Sequence, residues 1–194
     1  MAEDLIGPGY QCVVIGGSAG SIKVLIDALP AITPHLRLAI VVVLHRKNAA
    51  DNSLLVHLLR SKTLMLVKEI EEKEPICSGI CYIAPPDYHV LVEKDRTFSL
   101  DASEKVNFSR PSIDVTFESA AVVYGASLAC VLLSGANSDG AHGLIMAGAH
   151  NALIAIQDPA TAEMPAMPRS AMNVVENYHI LQPEQLAGFI NNLA

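Results

Sequence analysis

Three residues of this 194-residue chain have the types and spacing for acyl transfer: a serine, a histidine and an aspartate, each just beyond a short apolar run. Gly16-Gly17-Ser18-Ala19-Gly20 fits Gly-x-Ser-x-Gly, in which small neighbours permit the sharp strand-to-helix bend that lifts a serine hydroxyl above a sheet. His45 follows the run Leu38 to Leu44. If the two runs are neighbouring parallel strands, ~4.8 Å apart, an imidazole there is within reach of Ser18 as a general base. Asp139 lies in Ser134-Gly-Ala-Asn-Ser-Asp-Gly140, after a third run, Leu128 to Leu133, and near a helix start, where its carboxylate can orient the imidazole. Each has a plainer reading when taken singly. Ser18 and Asp139 can be helix caps, and His45 a polar strand terminator beside Arg46 and Lys47. Delivery of all three by separate strand ends is what distinguishes a catalytic set.

Rival glycine-rich sites fit less well. A dinucleotide fingerprint needs Gly-x-Gly-x-x-Gly, but Ser18 and Ser21 stand at its second and third glycine positions, and the second strand ends in His45 where an acidic ribose ligand belongs. A Walker loop needs a following Gly-Lys-Ser/Thr, which is missing. His35, His57, His150 and His179 read as loop or solvent-face residues, His89 as the start of a hairpin strand, and His142 as part of the helix after Asp139.

The elements that must hold the three residues alternate. Gln11 to Ile15 reads as a strand, and Ile22, Leu25, Ile26 and Leu29 recur at helical spacing before Pro30 and Pro34. Leu38 to Leu44 reads as a buried strand; Asp51 or Asn52 caps a helix carrying Leu54, Leu55, Leu58 and Leu59, and Leu64 to Val67 is the next strand. From Cys81 to Leu100 the pattern becomes Cys81 to Ala84, His89 to Glu93 and Thr97 to Leu100, with Lys94-Asp95-Arg96 as a turn, which reads as an antiparallel hairpin. A helix from Pro111 to Tyr124, the strand from Leu128, a helix through Gly148, a strand from Leu153 to Ile156, a proline-rich stretch leading to a helix, and a terminal helix from Pro183 complete the chain. The expected fold is α/β, a doubly wound and mostly parallel sheet with helices on both faces and an antiparallel hairpin. Sites in such folds gather at the carboxyl ends of the strands.

Length and an apolar fraction of 51% suit one domain over residues 1–194. A net charge of −7 without a dense Lys/Arg block argues against nucleic acid as a partner. No apolar run approaches the ~20 residues of a membrane span, and Met1-Ala-Glu-Asp-Leu5 does not resemble a secretory signal, so the expected address is cytoplasmic, without membrane insertion. Cys12 and Cys130 read as core residues. Cys77 and Cys81 have no second Cys/His pair to complete a zinc set, so neither a metal nor another cofactor is expected.

The three loops resemble those of the chemotaxis protein-glutamate methylesterases, the CheB type. Val14-Ile-Gly-Gly-Ser-Ala-Gly20 is similar to that family's nucleophile loop, Val43-Leu-His45 to its histidine strand, and Leu133-Ser-Gly-Ala-Asn-Ser-Asp-Gly140 to its aspartate loop. Tyr82-Ile-Ala-Pro-Pro-Asp87, Arg110-Pro-Ser-Ile-Asp-Val115, Gln157-Asp-Pro-Ala-Thr161 and Met167-Pro-Arg-Ser-Ala171 agree as well. The resemblance implies that Ser18 attacks a γ-glutamyl methyl ester on a methyl-accepting chemoreceptor, that His45 takes its proton and that Asp139 holds the imidazole tautomer. It further implies deamidation of glutamine as a companion activity. On the same ground, the backbone N–H groups of Ala19 and Ala136 are the expected oxyanion donors, and Gly20, Arg46, Met167 and Arg169 the expected substrate groove, with solvated surface arginine the plainer reading of Arg46 and Arg169. Ala19, Ala136 and Leu44 stand where the family commonly has Thr, Met and Gln, and the segment after His45 lacks the family's Pro-Gly loop. Members often carry an N-terminal receiver domain, for which the ten residues before the first strand have no room. The expectation is a protein that is unregulated, regulated in trans by a separate receiver domain or a histidine kinase as partner, or cut from a longer chain, and a degenerate module that binds receptor or kinase without turnover is the alternative.

Overall fold

Runs such as Ala39 to Leu44 have no polar face to offer water, and the structure buries all six residues. The computed structural model describes residues 9–46 and 53–194. Its elements, in chain order, are β1 (Cys12–Gly17), α1 (Ser21–Ala28), β2 (Ala39–Leu44), α2 (Ser53–Arg60), β3 (Leu66–Glu69), β4 (Ile80–Ile83), β5 (His89–Val92), β6 (Phe98–Asp101), α3 (Ile113–Tyr124), β7 (Leu128–Leu132), α4 (Ala141–Ala149), β8 (Leu153–Gln157), α5 (Ala166–Met172), β9 (His179–Leu181) and α6 (Leu186–Asn191). Seven strands form one sheet in the order β3-β4-β2-β1-β7-β8-β9, every neighbouring pair parallel.

Alternation along the strands divides the core in two, because successive side chains point to opposite faces. Val14, Val41, Val43, Cys130 and Leu132 pack with Phe117 of α3, Leu144 of α4 and Met167 of α5. Val13, Ile15, Ile40, Val42 and Val131 pack with Leu25 of α1, Leu59 of α2 and Ile190 of α6. Helices therefore cover both faces, as expected. Among the described residues no helix is long and apolar enough to cross a membrane.

The central strand β1 has β2 on one side and β7 on the other. The chain builds outward through β2, then returns across β1 to start the other half at β7. That reversal makes the carboxyl ends of β2, β1 and β7 the point where a crevice opens.

The expected hairpin forms as β5 and β6, with Val92 opposite Phe98 and residues 94–96 in the turn. It lies off the main sheet against α3, where Thr116 Oγ1 donates to Val90 O at 2.8 Å. The segment Cys81 to Ala84, read above with the hairpin, instead enters the main sheet as parallel β4, with Ile40 opposite Cys81. Its residues are buried on both faces, Cys81 and Ile83 in one core and Tyr82 in the other, which is the signature of a central parallel strand. The strand expected at Leu64 begins at Leu66. β9 escaped the sequence reading because only Leu181 of its three residues is buried, leaving no alternation to detect. The expected caps Asp51 and Asn52 lie outside the described residues.

Candidate active site

Ser18 is the first residue beyond β1, partly buried, on a turn completed by Gly20 at φ 85°. Only glycine is at ease there: a Cβ would fall 2.6 Å from Glu163 Cβ and 2.9 Å from Ser134 Oγ. Serines tie this turn to the β7 loop. Ser18 N and Ser21 Oγ both donate to Ser134 O at 2.8 Å. Ser134 Oγ donates to Ala19 O at 2.6 Å and accepts from Met164 N at 2.9 Å, and Ser134 N donates to Gln157 Oε1 at 2.9 Å. The ends of β1, β7 and β8 are thus fastened around the serine turn by buried polar groups that satisfy one another.

His45 N donates to Gly17 O at 3.0 Å, which extends the β1–β2 ladder and sets His45 beside Ser18 at the sheet edge. Its Nε2 lies 2.6 Å from Asp139 Oδ2. The Asp139 side chain is fully buried and also accepts from Ile113 N at 2.7 Å, Ser112 Oγ at 2.8 Å, Asn107 Nδ2 at 3.1 Å and Asp114 N at 3.3 Å. Its carboxylate therefore caps α3, from a distant part of the chain, rather than the α4 helix that follows it in sequence. Burial by itself would raise its pKa; the donors His45, Ile113 N–H, Asn107 and Ser112 together outweigh burial and hold it down at about 2. Asp139 is accordingly a carboxylate throughout the physiological range, so the Nε2 facing it carries the ring hydrogen.

The neighbouring Asp114 behaves oppositely. Burial, reinforced by the charge of Asp139, pushes it up to about 6, although Gly143 N–H and Gly140 N–H pull it partly back. Asn107 Nδ2 joins the two carboxyls, reaching Asp114 Oδ2 at 2.7 Å as well as Asp139.

The other ring nitrogen of His45, Nδ1, faces Ser109 Oγ at 3.3 Å. Among the described residues Ser18 Oγ makes no hydrogen bond. Histidine and aspartate are therefore in contact, while the serine stands at the adjacent strand end with its hydroxyl not bonded to the ring. Ala19 and Ala136 are both exposed, and among the described residues neither backbone N–H donates a hydrogen bond, so both are open to an incoming oxygen.

A groove of about 450 Å³ is lined by His45, Arg46, Asp87, Lys105, Phe108, Ser109 and Arg110. Of the residues expected to bind substrate, Arg46 is in its wall, but its Nη2 donates to Glu69 Oε2 at 2.6 Å and Ala84 O at 3.1 Å, so its charge is engaged within the chain. Met167 does not line an open groove: it is fully buried, packed so closely on Gly135 that a Cβ there would lie 2.5 Å from Met167 Cε. Gly20 bends the serine turn, and Arg169 is exposed on α5. Sequence reasoning missed Asn107, Ser109, Ser112, Asp114, Ser134 and Gln157. Ser112, Asp114, Ser134 and Gln157 lie in stretches already singled out for their resemblance, whereas Asn107 and Ser109 carry no local signal because only tertiary folding brings them to the pair.

The CheB methylesterase family model matches residues 13–190. A Leptospira interrogans protein provisionally named protein-glutamate methylesterase/protein-glutamine glutaminase is 46% identical over 178 residues, 92% of each chain. A Thermotoga maritima protein-glutamate methylesterase/protein-glutamine glutaminase is 32% identical over 165 residues, 84% of this chain and 48% of that protein, so the present chain matches about half of that longer relative. The crystal structure of the Thermotoga maritima CheB methylesterase catalytic domain superposes with a TM-score of 0.89 at 29% identity, over 96% of this chain and all of the other. On these matches and the fold they share, the chain belongs to the CheB methylesterase family.

Proposed function

We propose that this protein is a protein-glutamate methylesterase that hydrolyses glutamate γ-methyl esters on the cytoplasmic helical region of methyl-accepting chemoreceptors, in chemotactic adaptation, with Ser18 as nucleophile. The observation that carries the reading is the 2.6 Å contact of His45 Nε2 with the buried Asp139 carboxyl at the strand end beside Ser18. A carboxylate there fixes the tautomer and stabilises the imidazolium formed during turnover.

Because Asp139 occupies Nε2, the base is Nδ1. Ser18 Oγ adds to the ester carbonyl as its proton passes to Nδ1, and the oxyanion meets the N–H groups of Ala19 and Ala136. Collapse expels methoxide, which takes the proton from His45 and leaves as methanol. Water, deprotonated by Nδ1, then cleaves the acyl-enzyme to glutamate and free Ser18. The same acyl-enzyme arises from glutamine with ammonia as the leaving group, so deamidation requires no further residue. Ser18 must turn toward Nδ1 for the first step, a tightening common when substrate arrives.

The test is release of methanol from methylated receptor, together with labelling by a serine-directed phosphonate. Wild type should release methanol and be labelled at Ser18, and Ser18→Ala should do neither. Receptor binding without turnover or labelling would identify a binding module and reject the enzyme.

A further inference from the structure

Val106 and Ser109 exchange backbone hydrogen bonds in both directions, at 3.2 and 2.8 Å, and the two residues between them, Asn107 and Phe108, have φ of 50° and 62°. This is a two-residue turn of the I′ type, whose central positions both require φ > 0 and favour Asn-Gly. Asn107 suits the first position. Phe108 in the second is a bulky L-residue in the left-handed region, where its Cβ is crowded. Phe108 is 97% exposed, so no burial among the described residues offsets that strain. A glycine would make the better turn and a polar residue the better surface.

The residues on either side are not loose. Asn107 Nδ2 bonds both Asp139 and Asp114, and Ser109 Oγ faces His45 Nδ1. The turn is therefore fastened to the histidine–aspartate pair through alternate residues, and Phe108 between them projects from the wall of the groove that contains His45. Strain held at a site edge by surrounding contacts points to use there.

We propose that Phe108 is a specificity-determining residue for the methylesterase reaction proposed above, on which this inference rests: its ring packs on an apolar side chain flanking the esterified glutamate and seats the ester beside His45. The partner is a helical protein surface that sets apolar and acidic side chains next to the ester. Exposed Lys105 on the same groove wall matches the acidic neighbours, in a chain that is otherwise net negative. An aromatic ring offers such a surface large contact area at low conformational cost.

The experiment compares steady-state methanol release from methylated receptor by wild type, Phe108→Gly, Phe108→Asn and Phe108→Tyr, with a thermal melt of each. Glycine and asparagine both tolerate φ > 0, so at least one should melt no lower than wild type. That variant should lose tenfold or more in kcat/KM, chiefly through a raised KM, while Phe108→Tyr stays within threefold of wild type. A Gly or Asn variant within twofold of wild type, or one that loses kcat at unchanged KM, overturns the proposal. A wild type that releases no methanol overturns the methylesterase reading, and this inference with it.

Discussion

His45 meets Asp139 through Nε2, and Ser109 rather than Ser18 stands opposite its remaining nitrogen, at 3.3 Å. In the mechanism proposed above the orientation has two consequences: Nδ1 is the nitrogen that must act as base, and the Ser109 hydroxyl competes with Ser18 for it.

Replacing Asp139 by Asn removes the charge that stabilises an imidazolium and lets the ring adopt the wrong tautomer. In steady-state assays on methylated receptor, Asp139→Asn should lower kcat by on the order of 10³- to 10⁴-fold. A loss below tenfold would show that this contact is structural only.

Ser109 Oγ makes one long, neutral hydrogen bond to Nδ1, of a kind that contributes about 0.5–1 kcal/mol. Ser109→Ala frees the nitrogen for Ser18, so phosphonate labelling of Ser18 should accelerate roughly two- to fivefold. Slower labelling would mean that Ser109 supports the ring rather than competing for it.

Asp114 and Asp139 give opposite contributions to stability against pH. The folded-state pKa of Asp114, about 6, exceeds its ordinary value of 3.8, so its contribution is fully present below pH 3.8 and is lost as pH rises through 6. Asp139, held at about 2, contributes above pH 3.8 and loses that contribution as pH falls through 2. Urea unfolding of wild type and Asp114→Asn between pH 4 and 7.5 isolates the first. Wild type should lose on the order of 2 kcal/mol relative to the variant across that range. A difference that is flat with pH would remove burial of Asp114 as the cause.

Gly20→Ala tests the serine turn. At φ 85° an L-residue costs about 1–2 kcal/mol, and its Cβ meets Glu163 and a Ser134 hydroxyl already engaged with Ala19 and Met164. The melting temperature should fall and kcat drop at least tenfold, because Ser18 shifts with the turn. Wild-type activity at a lowered melting temperature would separate the turn from the chemistry.

Much of the architecture was legible in the residues themselves. Unbroken β-branched and aliphatic runs such as Ile40 to Leu44 suit strands covered on both faces, and helical spacing such as Ile113, Phe117, Ala120 and Tyr124 marks a buried helix face; both patterns are local, and the structure keeps them. Cys81 to Ala84 shows the limit. Four apolar residues fit a hairpin arm or a central strand equally well, and the choice was made by the space between β2 and β3. For β9, one buried residue left no pattern at all.

At the site, the sequence alone marked Ser18, His45 and Asp139, since polar residues that follow apolar runs, two of them beside a glycine, mark strand ends wherever the strands lie. It could not tell that Asp139 caps α3 instead of α4, that Nε2 rather than Nδ1 takes the carboxylate, or that Asn107 and Ser109 complete the arrangement. Those facts depend on which loops meet at one sheet edge and at what ring angle. Strand order and packing decide such meetings between residues as far apart as Ser109 and His45, and no local preference encodes them.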